Sequence, residues 1–208
     1  MADSPLVEIK FDEKKLANVR RMLVEIPNAM PTVISRGINR TATSARAEIT
    51  RRLYEHLNLT KTRIRQNIKI QKATRARWRS DIDIFTKAVP LIHYGASTLK
   101  GKGVSYKILR GGGRKRIITP PTSAFIQKMP SGHKGVFRRR SGGAIASSSL
   151  GKRYIYQLKG PSVGAAFEGA PGMAAQALWW ASAKLEKNID DQVAFVLNKW
   201  RSAARGAA

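Results

Sequence analysis

The chain has 208 residues, 39 Lys or Arg against 13 Asp or Glu, a formal net charge of +26 and 42% hydrophobic residues. The hydrophobic share excludes a wholly disordered basic protein and suffices for a buried core. The lack of cysteine excludes a disulfide framework and a cysteine-based zinc site, and the longest apolar stretch, Ala174 to Ala183, is too short to span a bilayer.

In chain order, Met1-Ala-Asp-Ser-Pro5 is not a secretory leader, so a soluble protein made in a cytoplasm is expected. Phe11 and Asp12 open a first helix with Leu16, Val19, Leu23 and Ile26 at helical spacing, and Pro27 closes it. A longer helix follows. Pro31 suits its first turn, and Val33, Ile34, Ile38, Ala42, Ala45, Ile49, Leu53 and Leu57 hold one apolar stripe for roughly seven turns. Thr60 then caps a short helix through about Gln66.

From Arg75 to Ile84 the period changes to two: Ala76, Trp78, Ser80, Ile82 and Ile84 alternate with Arg75, Arg77, Arg79, Asp81 and Asp83, a strand with one charged face. Val104, Tyr106 and Ile108 alternate again before the turn Gly111-Gly-Gly113. Ala124-Phe-Ile126 and Val136-Phe137 form a strand pair joined by Pro130-Ser-Gly-His133. Ser141 to Gly151 has too few large apolar groups to pack alone and reads as a flexible loop, 141–152. Beyond Tyr154-Ile-Tyr156 and Gly160-Pro161, a final helix follows Pro171-Gly172 with a stripe of Leu178, Ala181, Leu185, Ile189, Val193, Val196, Leu197 and Trp200. It should pack on the long second helix. The expected fold is α+β, a single domain over 1–208: a helical segment 1–59, a basic β-rich segment 60–167 and a C-terminal helix 168–208, with the long helices on a basic, mainly antiparallel sheet carrying projecting loops.

The charge is concentrated in the middle. From His56 to Phe167 there are 24 Lys or Arg and two acids, Asp81 and Asp83, a net of +22, against +3 before and +1 after. No acid occurs from Ile84 to Phe167. Such a block is built to face a polyanion, either nucleic acid or an acidic protein surface.

Signs of chemistry are sparse. The three histidines, His56, His93 and His133, have no His-Glu-x-x-His spacing and no cysteine partner, and read as ordinary histidines without a metal. Asp81-Ile-Asp83 resembles an acid pair for magnesium, but the arginines alternating with it make surface ion pairing the better reading. Gly111-Gly-Gly-Arg-Lys-Arg116 lacks the spacing of a phosphate loop, and reads as a hairpin tip whose basic side chains meet phosphates non-specifically. Trp179 and Trp180 point about 100° apart on a helix, which favours packing over base stacking.

Several ordered blocks carry a family likeness: Ile38-Asn-Arg-Thr41 with Ala45-Arg46; Pro90-Leu-Ile-His-Tyr-Gly95; Lys102 to Lys115; Ala124-Phe-Ile126; Ser131-Gly-His-Lys-Gly-Val-Phe-Arg138; and Gly160-Pro-Ser-Val163. Over about residues 33 to 165 the chain resembles the minor tail protein Z family of long-tailed bacteriophages and prophages. The resemblance implies a tail-completion protein of the virion at the head-proximal end, where the tail meets the neck and the genome end is seated, with no enzymatic activity and no cofactor. The Ser-rich stretch Arg140 to Lys152 is longer than the link usual in that family.

A conduit for double-stranded DNA needs a wall that attracts phosphates without reading bases. The expected arrangement is a ring, sixfold by analogy with tail geometry, touching other tail and neck proteins and no membrane. Arg110, Arg114, Lys115, Arg116, Lys128, Lys134, Arg138, Arg139 and Arg140 are the candidates to face DNA. Ile38, Ile49, Leu53, Leu185, Ile189, Leu197 and Trp200 are the candidates for core or subunit packing. The alternative is a basic clamp that joins tail or neck rings without touching DNA.

Overall fold

A computed structural model of the protein describes residues 7–10, 13–26, 28–99, 103–117, 124–139 and 155–206. In chain order the elements are β1 (Val7–Lys10), α1 (Glu13–Met22), α2 (Ala29–His56), α3 (Lys61–Gln66), β2 (Ile68–Gln71), β3 (Arg79–Ile84), a 3-10 turn (Leu91–Tyr94), β4 (Ser97–Thr98), β5 (Val104–Tyr106), β6 (Lys115–Ile117), β7 (Phe125–Lys128), β8 (Lys134–Arg139), β9 (Ile155–Gln157), α4 (Val163–Gly169) and α5 (Met173–Gly206). The class is α+β with antiparallel pairing throughout. Phe11, Asp12, Pro27, Arg140 and the expected 141–152 loop lie outside the described residues. The chain forms two units: Met1–Arg51 with Arg65–Ile84 and Phe167–Ala208, and Arg52–Ile64 with Phe85–Ala166.

The first unit is built on two long helices. Val33, Ile34, Ile38, Ala42, Ala45 and Ile49 of α2 are buried, as are Ala177, Ala181, Leu185, Ile189 and Val193 of α5, the spacing that turns one face of each helix inward. The two helices meet at Gly37, where a Cβ would stand 2.4 Å from Ile189 Cδ1. Beside that approach Asn188 Nδ2 donates to Thr41 Oγ1 at 2.9 Å, and Thr41 Oγ1 donates to the Gly37 carbonyl at 2.9 Å. A buried polar pair costs little when every group has a partner. The sheet runs β1-β3-β2, with Ile82 of the central strand opposite Val7 on one side and Ile70 on the other. Asn39 ties α2 to the chain beyond β2, donating to the Ala73 carbonyl at 2.9 Å and accepting from the Ala73 N–H at 2.8 Å.

Two expectations need correction here. The strand expected over 75–84 covers only 79–84, because Thr74 to Arg77 closes a turn: the Thr74 N–H donates to the Arg77 carbonyl at 2.9 Å, and the Arg77 N–H to Thr74 Oγ1 at 3.0 Å. Asp81 is also not a surface charge. It lies on the central strand and is 3% exposed, with Arg79 Nε donating to it at 2.8 Å and Arg77 Nη2 donating to its other oxygen. Two guanidinium partners offset the desolvation that a lone buried carboxylate would suffer.

The second unit holds two consecutive meanders, β4-β5-β6 and β7-β8-β9. Among the described residues the strands therefore lie in three three-stranded sheets, and no single basic sheet unites them. Within each meander every strand pairs with its neighbour in sequence, and pairing between sequence neighbours costs less loop entropy than pairing between remote segments. Thr60 caps α3, accepting from the Arg63 N–H at 3.3 Å, and Ser162 caps α4, accepting from the Ala165 N–H at 2.9 Å. Tyr94, fully buried, donates its hydroxyl to the Pro161 carbonyl at 2.7 Å.

Candidate nucleic-acid interface

The second unit contains 19 Lys or Arg and one acid, Glu55, so it carries +18 of the chain's +26. All three histidines belong to it as well. The first unit takes Arg77 and Arg79, which the sequence placed in the same basic block, and uses both on Asp81.

The nine candidate cations have different surroundings. Arg110 is fastened down: Nε donates to the Tyr54 carbonyl, Nη2 donates to the Leu59 carbonyl at 3.3 Å, and the guanidinium sits 3.8 Å from the Tyr54 ring centroid. Its backbone N–H also donates to the His56 carbonyl at 3.0 Å. Arg110 thus latches the end of α2 to the segment after β5. Arg114 folds back on its own sheet, with Nη2 donating to the Gly95 carbonyl at 2.9 Å and reaching Ser97 Oγ and Ser105 Oγ at 3.0 Å each. Lys115 and Arg116 are exposed on the edge strand β6. Lys128 and Lys134 are exposed and stand opposite one another in the β7-β8 register. Arg138 is half-buried, and exposed Arg139 lies 5.5 Å over the Phe125 ring.

Of the packing candidates, Ile38, Ile49, Leu53, Leu185 and Ile189 are buried, Leu197 is half-buried and Trp200 is 43% exposed.

A concave feature appears that no sequence motif announced. Tyr54, Asn58, Thr60, Lys61, His93 and Arg110 line an open cleft on the second unit. They come from the end of α2, the start of α3, the 3-10 turn and the segment after β5. Asn58 Nδ2 donates to the Lys107 carbonyl at 3.0 Å and to the Tyr94 carbonyl at 3.3 Å, which sets the cleft floor. Lys61 Nζ is 5.0 Å from the Tyr54 ring centroid, so one ring carries two cations. Burial, then Arg63 and His133, push the His93 imidazole below its ordinary value and favour its neutral form. The signal in the sequence was the separation of these residues by up to 56 positions, which periodicity does not register.

Among the described residues no cluster of three or more His, Cys, Asp or Glu is placed to hold a metal, and no helix is long and apolar enough to cross a membrane. Asp83 accepts from Gln71 Nε2 at 2.8 Å. The family model for prophage minor tail protein Z (GPZ) matches residues 14–199. The chain belongs to that family. Membership gives this tail protein a structural role in a phage tail, among other tail proteins and within the virion, and such a family is not typically enzymatic. The match extends beyond the 33–165 stretch of sequence likeness into α1 and most of α5. No curated protein and no solved structure matches the chain.

Proposed function

We propose that this tail protein completes the head-proximal end of the tail, where it lines the conduit at the neck and helps seat the genome end for delivery. Copies form a closed ring, sixfold in tails of this kind, with the second unit toward double-stranded DNA and the apolar helices toward neighbouring subunits or other tail and neck proteins. The observation that carries the reading is the 19-to-one excess of basic over acidic residues in one structural unit. A field of one sign attracts phosphates of any sequence, as a conduit requires. Lys115, Arg116, Lys128, Lys134 and Arg139, all exposed, are the side chains assigned to DNA, with Arg110, Arg114 and Arg138 as supports; Arg140 is proposed from sequence alone.

Two measurements test this. In solution, duplex DNA binding should weaken steeply with salt, with a log–log slope near −5 if about six phosphates are neutralised. A cryo-EM map of the assembled tail should place Lys115, Arg116 and Arg139 on the lumen at the neck. Salt-resistant binding to an acidic tail or neck ring, with those side chains buried against protein, would make the molecule a clamp and overturn the conduit reading.

A further inference from the structure

We propose that the cleft lined by Tyr54, Thr60, Lys61, His93 and Arg110 is the seat of a single phosphate group of a nucleic-acid strand, while the exposed lysines and arginines elsewhere supply only diffuse attraction. The inference deepens the DNA-facing reading and rests on it.

Arg110 is the fixed wall of the seat. Two of its five N–H donors are held by the Tyr54 and Leu59 carbonyls, and the remaining donors stay on a guanidinium that lines the cleft without freedom to swing away. A cation immobilised in advance loses little entropy when an anion arrives. Lys61 brings a second positive charge to the same Tyr54 ring, and His93 lines the same cleft within reach of the field of Arg63 and His133. Glu55, the unit's one acid, is not among the residues that line the cleft. Gathering like charges is unfavourable until an anion occupies the space between them.

The donor set selects the anion. An ammonium, a guanidinium, an imidazole and the Thr60 hydroxyl come from three separate segments, Thr60-Lys61, His93 and Arg110, an arrangement suited to the tetrahedral oxygens of phosphate more than to a planar carboxylate, which a single bidentate arginine satisfies. A base is a poor occupant, because Arg110 already covers the Tyr54 ring at 3.8 Å. The open form of the cleft lets a continuous strand enter and leave.

The test uses the full chain with labelled histidine rings. NMR follows the His93 and His56 ring signals across pH without ligand, then with inorganic phosphate, a short DNA duplex or a glutamate-rich peptide. His56 is exposed and outside the cleft, so it serves as the control. Phosphate and duplex should each raise the His93 pKa, with little change at His56. Lys61→Ser should abolish the phosphate response, weaken duplex binding about 5- to 10-fold and reduce the magnitude of the salt slope by about 1, with Lys61→Arg restoring both. If the wild-type protein binds duplex but His93 does not respond to duplex or phosphate, the cleft is not the seat, and the DNA-facing reading stands. If phosphate moves His93 but no duplex binds at any salt, the site takes free phosphate, and both the strand assignment and the DNA-facing reading fail. A response to the peptide in place of phosphate overturns the seat.

Discussion

Tyr94 and Gly160 make up a contact on which the second unit closes. The Tyr94 ring is fully buried, and burial pushes its phenol up to about 12, so the hydroxyl remains a donor to the Pro161 carbonyl at 2.7 Å. Gly160 lies flat against the ring: a Cβ there would stand 2.6 Å from Tyr94 Cε2 and 2.9 Å from Cδ2, while its N–H donates to the Val89 carbonyl at 2.7 Å. The backbone is therefore pinned and cannot retreat from an added methyl. Gly160→Ala should cost about 1–3 kcal/mol through overpacking, and Tyr94→Phe about 1–3 kcal/mol through an unpaired carbonyl. Both act on one contact, so the double variant should lose less than the sum. Urea unfolding of the four proteins measures this; simple additivity would mean that the ring and the glycine are not coupled. The sequence contained both residues within blocks of family likeness, Pro90 to Gly95 and Gly160 to Val163, but nothing in either block states that they touch. His93 in the first block read as an ordinary histidine because the cations around it come from remote segments.

At the scale of elements, the long helices and the strand pair β7-β8 were legible, while the shortest strands and the grouping of strands into sheets were not. A stripe repeated over many turns locates a helix, and α2 (Ala29–His56) and α5 (Met173–Gly206) fall where periodicity places them. Strands of two to four residues provide too few positions to establish a period of two, so β1, β2 and β4 carried no signal, and neither did the short helix α4. Periodicity also cannot say how far along a stripe a partner extends. The stripe of α5 continues to Trp200, but full burial ends at Val193: Val196 and Leu197 are half-buried, and Phe195 and Trp200 are 55% and 43% exposed. Leu185→Ala should therefore cost about 2–5 kcal/mol of folding stability, whereas Trp200→Ser should change it by about 1 kcal/mol or less. Thermal unfolding of the isolated chain separates the two. A large loss from Trp200→Ser would show that the end of α5 is held in the chain's own core.

At the scale of the whole molecule, net charge is the property most visible in the sequence, and the fold changes its meaning. The basic block of 56–167 runs across both units; the part in the first unit includes Arg77 and Arg79, bound to Asp81, while the second unit has a single acid to neutralise its 19 cations. At about 0.1 M salt a surface charge acts over roughly 10 Å, so placement and not the total decides attraction. Two double reversals distinguish these cases: Lys128→Glu with Lys134→Glu in the second unit, and Lys199→Glu with Arg201→Glu on the exposed end of α5. Each lowers the formal net charge from +26 to +22, and all four positions are exposed. Lys128 and Lys134 face one another across β7-β8, so exchanging both preserves the like-charge pairing and leaves stability nearly unchanged. The first variant should bind duplex DNA about tenfold or more weakly and reduce the salt slope by about 2, the share of two phosphates. The second should stay within about threefold of the parent, because its charges lie in the unit that is not assigned to DNA. Equal losses in the two variants would mean that DNA responds to the molecule's total charge, and the second unit would lose its claim to be the face that meets the genome.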